Sequence, residues 1–281
     1  MFVRSDSELM QLLDEFSPGP TDYFRRGAKR IAASINMIPE GNGTILELGC
    51  DSHFTLAMSE LTNYTIVPQN SPNPIASCED VQDPTVTFTR KDSSKVQFEC
   101  MLFDLESDPY PFPDNSIDGV VCCEVIEHLF RDPAWMLREV NRILKPGGWF
   151  LITTPNITSY HSIRRAVMGI HPMQHALYFN VEKYPDFAIQ HTREYSFWEI
   201  VELLHETGFG IIKQETQAFK ANEQLGLLDY LVLIPAMIVY DVLKYRHPKH
   251  MLLRYRLPNT LVLARKDGIP KSRYPLSLYV Q

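Results

Sequence analysis

The sequence holds no long apolar stretch free of charge or proline. Its longest apolar run, Leu225–Leu243, carries Asp229, Pro235 and Asp241, groups that are costly at membrane depth. A helical hairpin over the core, or an interfacial patch, is the expectation there. Cysteine is sparse as well. There are five at irregular spacing, with Cys50, Cys122 and Cys123 in apolar strand contexts. This argues against a disulfide framework and for buried thiols in a reducing compartment. Positive charge is in deficit, with a formal net charge of −7. Nonspecific nucleic-acid binders normally carry a basic field, so that class is disfavoured. The first residues, MFVRSDSELMQLLDEF, mix acids with apolar groups and form no continuous signal-peptide core. No internal repeat or low-complexity tract interrupts the chain.

What is present is an ordinary globular composition, 44% hydrophobic and 22% charged over 281 residues. That length supports one large domain with a full core, or one domain with appendages. Helical patterns at Ser7–Phe16 and Asp22–Ile38 flank the Ser-Pro-Gly-Pro breaker at 17–20. Ile45–Leu48 reads as the first strand of the main sheet, Phe54–Leu61 as a helix and Tyr64–Val67 as the second strand. Val86–Arg90 and Lys95–Phe103 read as a hairpin through Lys91–Ser94, its second arm supplying the third sheet strand. Later come a helix near Ser159–Met168, a His- and aromatic-rich loop over 169–191, and a helix over Phe197–Thr207. A closing antiparallel pair, Gly210–Ala218 and Leu261–Arg265, flanks the apolar insertion.

The most informative stretch is Cys100–Asn156. A strand ends at Asp104-Leu105, and a Pro/Asp/Asn turn leads to a second buried run, Ile117–Cys122. Glu124-Val-Ile-Glu127-His128 follows. A helix from Pro133 to Leu144 stops at Lys145-Pro-Gly-Gly148, and the strand Trp149–Thr154 ends in Pro155-Asn156. Strand, turn, strand, helix, strand is a parallel crossover unit. Its polar residues sit at the strands' carboxyl ends, where open α/β sheets bind ligands. This order resembles the class I S-adenosylmethionine-dependent methyltransferases, particularly the branch with an E-V-x-E-H cluster and L-K-P-G-G. The resemblance covers Thr44 to Arg265. It implies an α/β fold: a Rossmann-like, doubly wound, mostly parallel seven-stranded sheet. Residues 1–40 would form a helical cap and 41–281 the methyltransferase domain, with a lid about 157–193 and the insertion about 222–256.

The resemblance also implies a cofactor site for S-adenosyl-L-methionine. Ile45-Leu-Glu-Leu-Gly-Cys50 matches the family's first motif, so Glu47 would orient the loop and Gly49 would face the cofactor's amino-acid end. Cys50 and Asp51 would complete the turn. The family's next two glycines are replaced by Asp51 and His53. Asp51 is expected to keep the turn in a left-handed conformation, and His53 to crowd or contact the cofactor. The second strand ends in Gln69-Asn70 where the family has a ribose-binding acid, which leaves a neutral contact, from Asn70 or Gln69, or none. Asp104 and Leu105 match the adenine contacts, and Glu124 completes the expected cofactor-binding set.

Methyl transfer from a sulfonium needs an oriented nucleophile and, for a hydroxyl, an acceptor for its proton. Glu124, Glu127 and His128 follow the fourth strand, and a helical start would put Glu124 and His128 on one face. With His191, two carboxylates and two imidazoles converge. This set could hold a divalent cation or act as a metal-free base, with His128 and His191 as leading bases and His161 and His175 after them. The alternative is that the two glutamates are solvated acids at a helix start. The spacing resembles the metal site of small-RNA 3′-end 2′-O-methyltransferases.

Thr154-Pro-Asn156, His191-Thr-Arg-Glu-Tyr-Ser196 and the closing Ala264–Tyr279 resemble methyltransferases of bacterial cell-surface polysaccharides. The implied acceptor is a small molecule or a sugar hydroxyl of a glycan or its precursor. Tyr23, Tyr160, Tyr178, Tyr184 and Tyr195 would be candidate stacking surfaces. The resemblance further implies a cytoplasmic enzyme, docked by Leu225–Leu243 at the inner membrane face. A metal-assisted RNA 3′-terminal methyltransferase, and a non-catalytic binding protein on a degenerate methyltransferase fold, stay open beside this reading. Nucleic acid is the disfavoured partner, and the oligomeric state is open.

Overall fold

A computed structural model of the chain describes residues 5–72, 84–173, 191–219 and 255–271, together with Pro235. Helix α1 (Asp6–Leu13) starts where the Ser5 hydroxyl accepts from Glu8 N, and α2 (Asp22–Ile35) where Thr21 accepts from Phe24 N. Such caps satisfy amide groups that a helix start leaves without partners. Between them lies a two-residue strand, β1 (Phe16–Ser17). Then follow β2 (Asn42–Leu48), α3 (Ser52–Leu61), β3 (Asn63–Asn70), β4 (Thr85–Arg90), β5 (Lys95–Glu99) and β6 (Met101–Leu102). The second half holds β7 (Ile117–Cys123), α4 (Ala134–Ile143), β8 (Leu144–Pro155), α5 (Tyr160–Val167), α6 (Phe197–Glu206), β9 (Phe209–Gln217) and β10 (Asn259–Lys266).

Seven strands form one sheet in the order β6-β3-β2-β7-β8-β10-β9. The first five run parallel, and β10 runs antiparallel to both β8 and β9. This is the doubly wound sheet expected from the sequence. Side chains alternate between its faces, as the strand period of two requires. Leu46, Leu48, Val120, Cys122, Phe150 and Ile152 join α4 and α6 in one core. Ile45, Ile66, Val121, Leu151, Leu261 and Leu263 join α1, α2 and α3 in the other. Both faces being covered explains the apolar run Gly119–Cys123 of β7.

One expected strand is split. The hairpin β4–β5 pairs with β1 in a separate three-stranded sheet, and only Met101–Leu102 reaches the main sheet, against Gln69–Asn70. Cys100 N donates to Pro84 O and closes the hairpin. The chain must therefore turn there before it can meet β3. β3 runs through Pro68 to Asn70, the end that its Gln69-Asn70 motif marks.

Candidate functional site

The turn after β2 is built around Gly49. Its φ is +70°, and a Cβ there would stand 2.5 Å from the Val125 side chain. Only glycine combines that conformation with that approach. Gln69, buried at the end of β3, fastens the turn. Its Oε1 accepts from Gly49 N at 3.0 Å, and its Nε2 donates to Phe103 O at 2.7 Å. Cys50 N donates to Gln69 O, and the Cys50 sulfur lies 3.3 Å from Thr55 Oγ1 and 3.9 Å from the Cys100 sulfur. Cys50, Cys100, Cys122 and Cys123 are all free thiols. Glu47 is buried, with its carboxylate accepting from Asp51 N and Thr55 Oγ1. Burial pushes its pKa well above the ordinary carboxylate value, against the opposing hydrogen bond from Thr55.

Two expectations here are corrected. Asp51 has φ −103°, not a left-handed value, and serves as the N-cap of α3, accepting from His53 N and Phe54 N. His53 points away from the turn. It is buried between the rings of Phe24 and Phe88, at centroid distances of 5.7 and 5.1 Å. Asn70 is half-buried, with Oδ1 accepting from Ser71 N. Asp104 organises its own turn, accepting from Glu106 N and Ser107 Oγ, while its amide donates to Asp108. Leu105 is buried, and its carbonyl accepts from Tyr110 Oη at 3.4 Å.

The second cluster lies at the ends of β7 and β8. Glu124 is not in a helix. Its φ is +57°, its amide donates to Thr153 O, and its carboxylate is held by Arg30 at 2.8 Å and Thr153 Oγ1 at 2.9 Å. Arg30 belongs to α2, so the N-terminal helices are tied to the mouth of the sheet here. Glu124 therefore does not share a face with His128, as a helical start would have required. A single 3-10 turn, Ile126–His128, follows. Glu127 is fully buried. One carboxylate oxygen accepts from Thr154 Oγ1 at 2.9 Å, and the other has no hydrogen-bond partner among the described residues. Burial pushes its pKa up to about 7, despite the Thr154 bond and the charge of Arg30.

His191 arrives from far along the chain. Thr192 N and Arg193 N both donate to Glu127 O, and Asn156 bridges to Tyr195, so the segment is laced to the ends of β7 and β8. The rings of His128 and His191 stand 4.8 Å apart, edge to face. Glu127, His128 and His191 each offer one donor atom, all within 4.8 Å of one another. Glu194, buried beneath them, has Oε1 within hydrogen-bond distance of His191 Nδ1, at 2.8 Å.

The sequence profile of the methyltransferase domain family matches residues 46–152. A probable S-adenosylmethionine-dependent methyltransferase of Mycolicibacterium smegmatis is 37% identical over 101 residues, covering 36% of this chain and 32% of that protein. Residues 46–152 thus match a methyltransferase domain, and the chain is similar there to S-adenosylmethionine-dependent methyltransferases. A tRNA N(3)-cytidine methyltransferase, METTL2 of Bos taurus, is 30% identical over 124 residues, covering 42% of this chain and 31% of its own length. The chain thus spans about a third of the length of these curated relatives. A solved S-adenosylmethionine-dependent methyltransferase from Archaeoglobus fulgidus matches over 88% of this chain and 100% of its own, with TM-score 0.51 at 19% identity. That likeness shows the fold.

The cofactor of this family is S-adenosylmethionine. The methyltransferase domain fits it in backbone: a positive-φ glycine at the end of β2, with β3 and β6 ending alongside. In side chains the fit is partial, because Gln69 is spent on the turn and leaves Asn70 as the remaining ribose candidate. Tyr160 and Tyr195 are buried in the core rather than offered as platforms, whereas Tyr23 is exposed beside Arg30. His161 lies in α5. His175, Tyr178, Tyr184, most of the expected lid and nearly all of Leu225–Leu243 lie outside the described residues. Among the described residues no helix is long and apolar enough to cross a membrane. Glu194 and Arg30 were missed by sequence reasoning. Glu194 had a signal, in its position three residues after His191, while Arg30 sits in a helix of otherwise ordinary charge pattern.

Proposed function

We propose that this chain is an S-adenosylmethionine-dependent O-methyltransferase whose acceptor is a hydroxyl, that of a sugar in a glycan or its precursor. The observation that carries this reading is the cluster of Glu127, His128 and His191 at the carboxyl ends of β7 and β8. An O-methyltransferase must dispose of a proton as its acceptor oxygen attacks. Two imidazoles beside a carboxylate raised to about 7 are suited to receive it near neutral pH. The sugar is supported by the likeness of the Thr154-Pro-Asn156 and His191–Ser196 motifs to surface-polysaccharide methyltransferases.

When bound, S-adenosylmethionine supplies a methyl group on a positively charged sulfur. Gly49, Asn70, Asp104 and Leu105 would hold it along the ends of β2, β3 and β6. His128 or His191 takes the hydroxyl proton, and Glu127 stabilises the imidazolium that results. Arg30 holds Glu124 and so keeps that carboxylate from competing for the same proton.

Glu127, His128 and His191 also fit a borderline divalent cation, which would acidify a bound hydroxyl directly. Ligand distances of about 2.0–2.2 Å place facing donors roughly 4 Å apart, close to the present spread. This replaces the expected four-residue set, since Glu124 is committed to Arg30.

The test is calorimetric titration with S-adenosylmethionine, then transfer of a labelled methyl group to hydroxyl-bearing glycans, with and without chelator. Binding with transfer to oxygen supports the reading, and chelator sensitivity selects the cation route. Binding without transfer to any hydroxyl, or no binding, would overturn it. Asp104→Ala should weaken cofactor binding by roughly 1–3 kcal/mol if its carboxylate meets the adenine.

A further inference from the structure

We infer that Glu194 is a positioning residue: its carboxylate holds His191 with the proton on Nδ1, so that the Nε2 lone pair is presented to the site. This rests on the proposed role of His191 as the atom that receives a proton or a cation, and it identifies what orients that atom. The contact is His191 Nδ1 to Glu194 Oε1 at 2.8 Å. An ionised carboxylate only accepts, so against it the bonded ring nitrogen carries the hydrogen, and the lone pair of a neutral ring is then on Nε2.

The burial pattern of the segment supports the pairing. His191 and Glu194 turn inward, their side chains 8% and 0% exposed, whereas Thr192 and Arg193 between them are exposed. A glutamate in a polar connecting segment is ordinarily solvated, and burying its charge is costly unless it is bonded. Arg193, the nearest cation in sequence, is turned outward to Glu199 and over the Tyr195 ring. It does not serve Glu194.

The pair is also rigidly mounted. Thr192 N and Arg193 N are fastened to Glu127 O at 2.8 and 3.2 Å, and Ile157 N donates to Tyr195 O at 3.1 Å. The same backbone bonds that bring His191 to His128 therefore set the height of Glu194 beneath it. An imidazole held from below by a carboxylate, with its other nitrogen turned to the reacting group, is the arrangement that fixes a tautomer in both metal-ligating and proton-accepting histidines.

The experiment is long-range 1H–15N correlation spectroscopy on the full chain labelled at histidine, in chelator, with His191→Gln assigning the His191 signals. The expected spectrum of His191 shows hydrogen on Nδ1 and the downfield shift of a lone-pair nitrogen at Nε2. In Glu194→Gln, whose amide can donate as well as accept, both tautomers should appear. A wild-type His191 carrying its hydrogen on Nε2 would overturn the inference, as would a Glu194→Gln spectrum identical to wild type. Should the variant fail to fold, the wild-type spectrum still decides. Calorimetry with S-adenosylmethionine on the same sample separates the two readings. The expected tautomer without cofactor binding sinks the proposed function and leaves the positioning intact, and the opposite tautomer with binding does the reverse.

Discussion

The two ends of the candidate site use polar groups in opposite ways. At the ends of β2, β3 and β6 the polar side chains are spent on the protein itself: Asp51 caps α3, Gln69 ties Gly49 to Phe103, and Asp104 closes its own turn. What remains for a ligand is mostly backbone shape. At the ends of β7 and β8, Glu127, His128, His191 and Glu194 face one another, and one oxygen of Glu127 has no hydrogen-bond partner among the described residues. That end stores unfavourable electrostatics in place of stability, as reacting sites commonly do. The first end should therefore answer to changes in folding energy and the second to changes in chemistry.

The sharpest way to break this contrast is His191→Ala. Losing a proton acceptor should cut methyl transfer about 10²–10⁴-fold, with calorimetric cofactor affinity unchanged. A parallel loss of affinity would show that the two ends are not separable.

Next in size is Glu127→Gln, read as stability against pH in chelator. The folded pKa of Glu127 is about 7, against an ordinary value of 4.5. Below 4.5 the group is protonated whether folded or unfolded and has no effect. As pH rises from 4.5 to 7, the unfolded chain releases its proton first, so stability falls. The variant escapes this loss. It should be more stable than wild type by up to about 3 kcal/mol at pH 8 and equal to it near pH 4, by denaturant unfolding. Equal stability at pH 8 would mean that Glu127 is ionised without cost.

At the other end, Gln69→Ala leaves Gly49 N and Phe103 O without their partner and should cost roughly 1–3 kcal/mol. Cofactor affinity should drop with it, because the turn loses its tether. A stable variant with weakened affinity would instead make Gln69 a direct ligand.

The smallest effect concerns the missing glycines. Asp51→Ala should cost about 1 kcal/mol as a lost cap, and Asp51→Gly only a few tenths. Thermal melting measures both. His53→Gly should be worse than either, since it empties a place between two phenylalanine rings. A gain in cofactor affinity from Asp51→Gly would mean that the carboxylate had been obstructing the pocket.

Much of the sheet was legible because its signals are local. The runs Ile45–Leu48 and Ile117–Cys122 are apolar but for Glu47 and Asp118, and Ser196 with Glu199 forms the capping box that starts α6. The split of Lys95–Phe103 was not legible. Val96 and Phe98 alternate as any strand would, and only the bond from Cys100 N to Pro84 O reveals where the hairpin ends. Asn156 shows the same limit. As part of a motif it suggested an acceptor class. In the fold it is wholly buried, donating to Tyr255 O and Leu257 O and accepting from Thr158, a structural duty that no pattern announces.

The order of strands and helices, the glycine at the end of β2, and the gathering of acids and histidines after β7 follow from the sequence alone. Each depends on neighbours a few residues away, where hydrophobic period, turn chemistry and caps decide the conformation. Which of those charged groups meet was settled only in the folded chain. Glu124 and Glu127 are three residues apart, yet one is bound to Arg30 of α2 and the other is sealed beside His128 and His191. Hydrogen bonds and ion pairs act over about 3 Å through space. Sequence separation therefore says nothing of their strength, and Glu194 finds His128's companion only because β7, β8 and the segment before α6 are packed against one another.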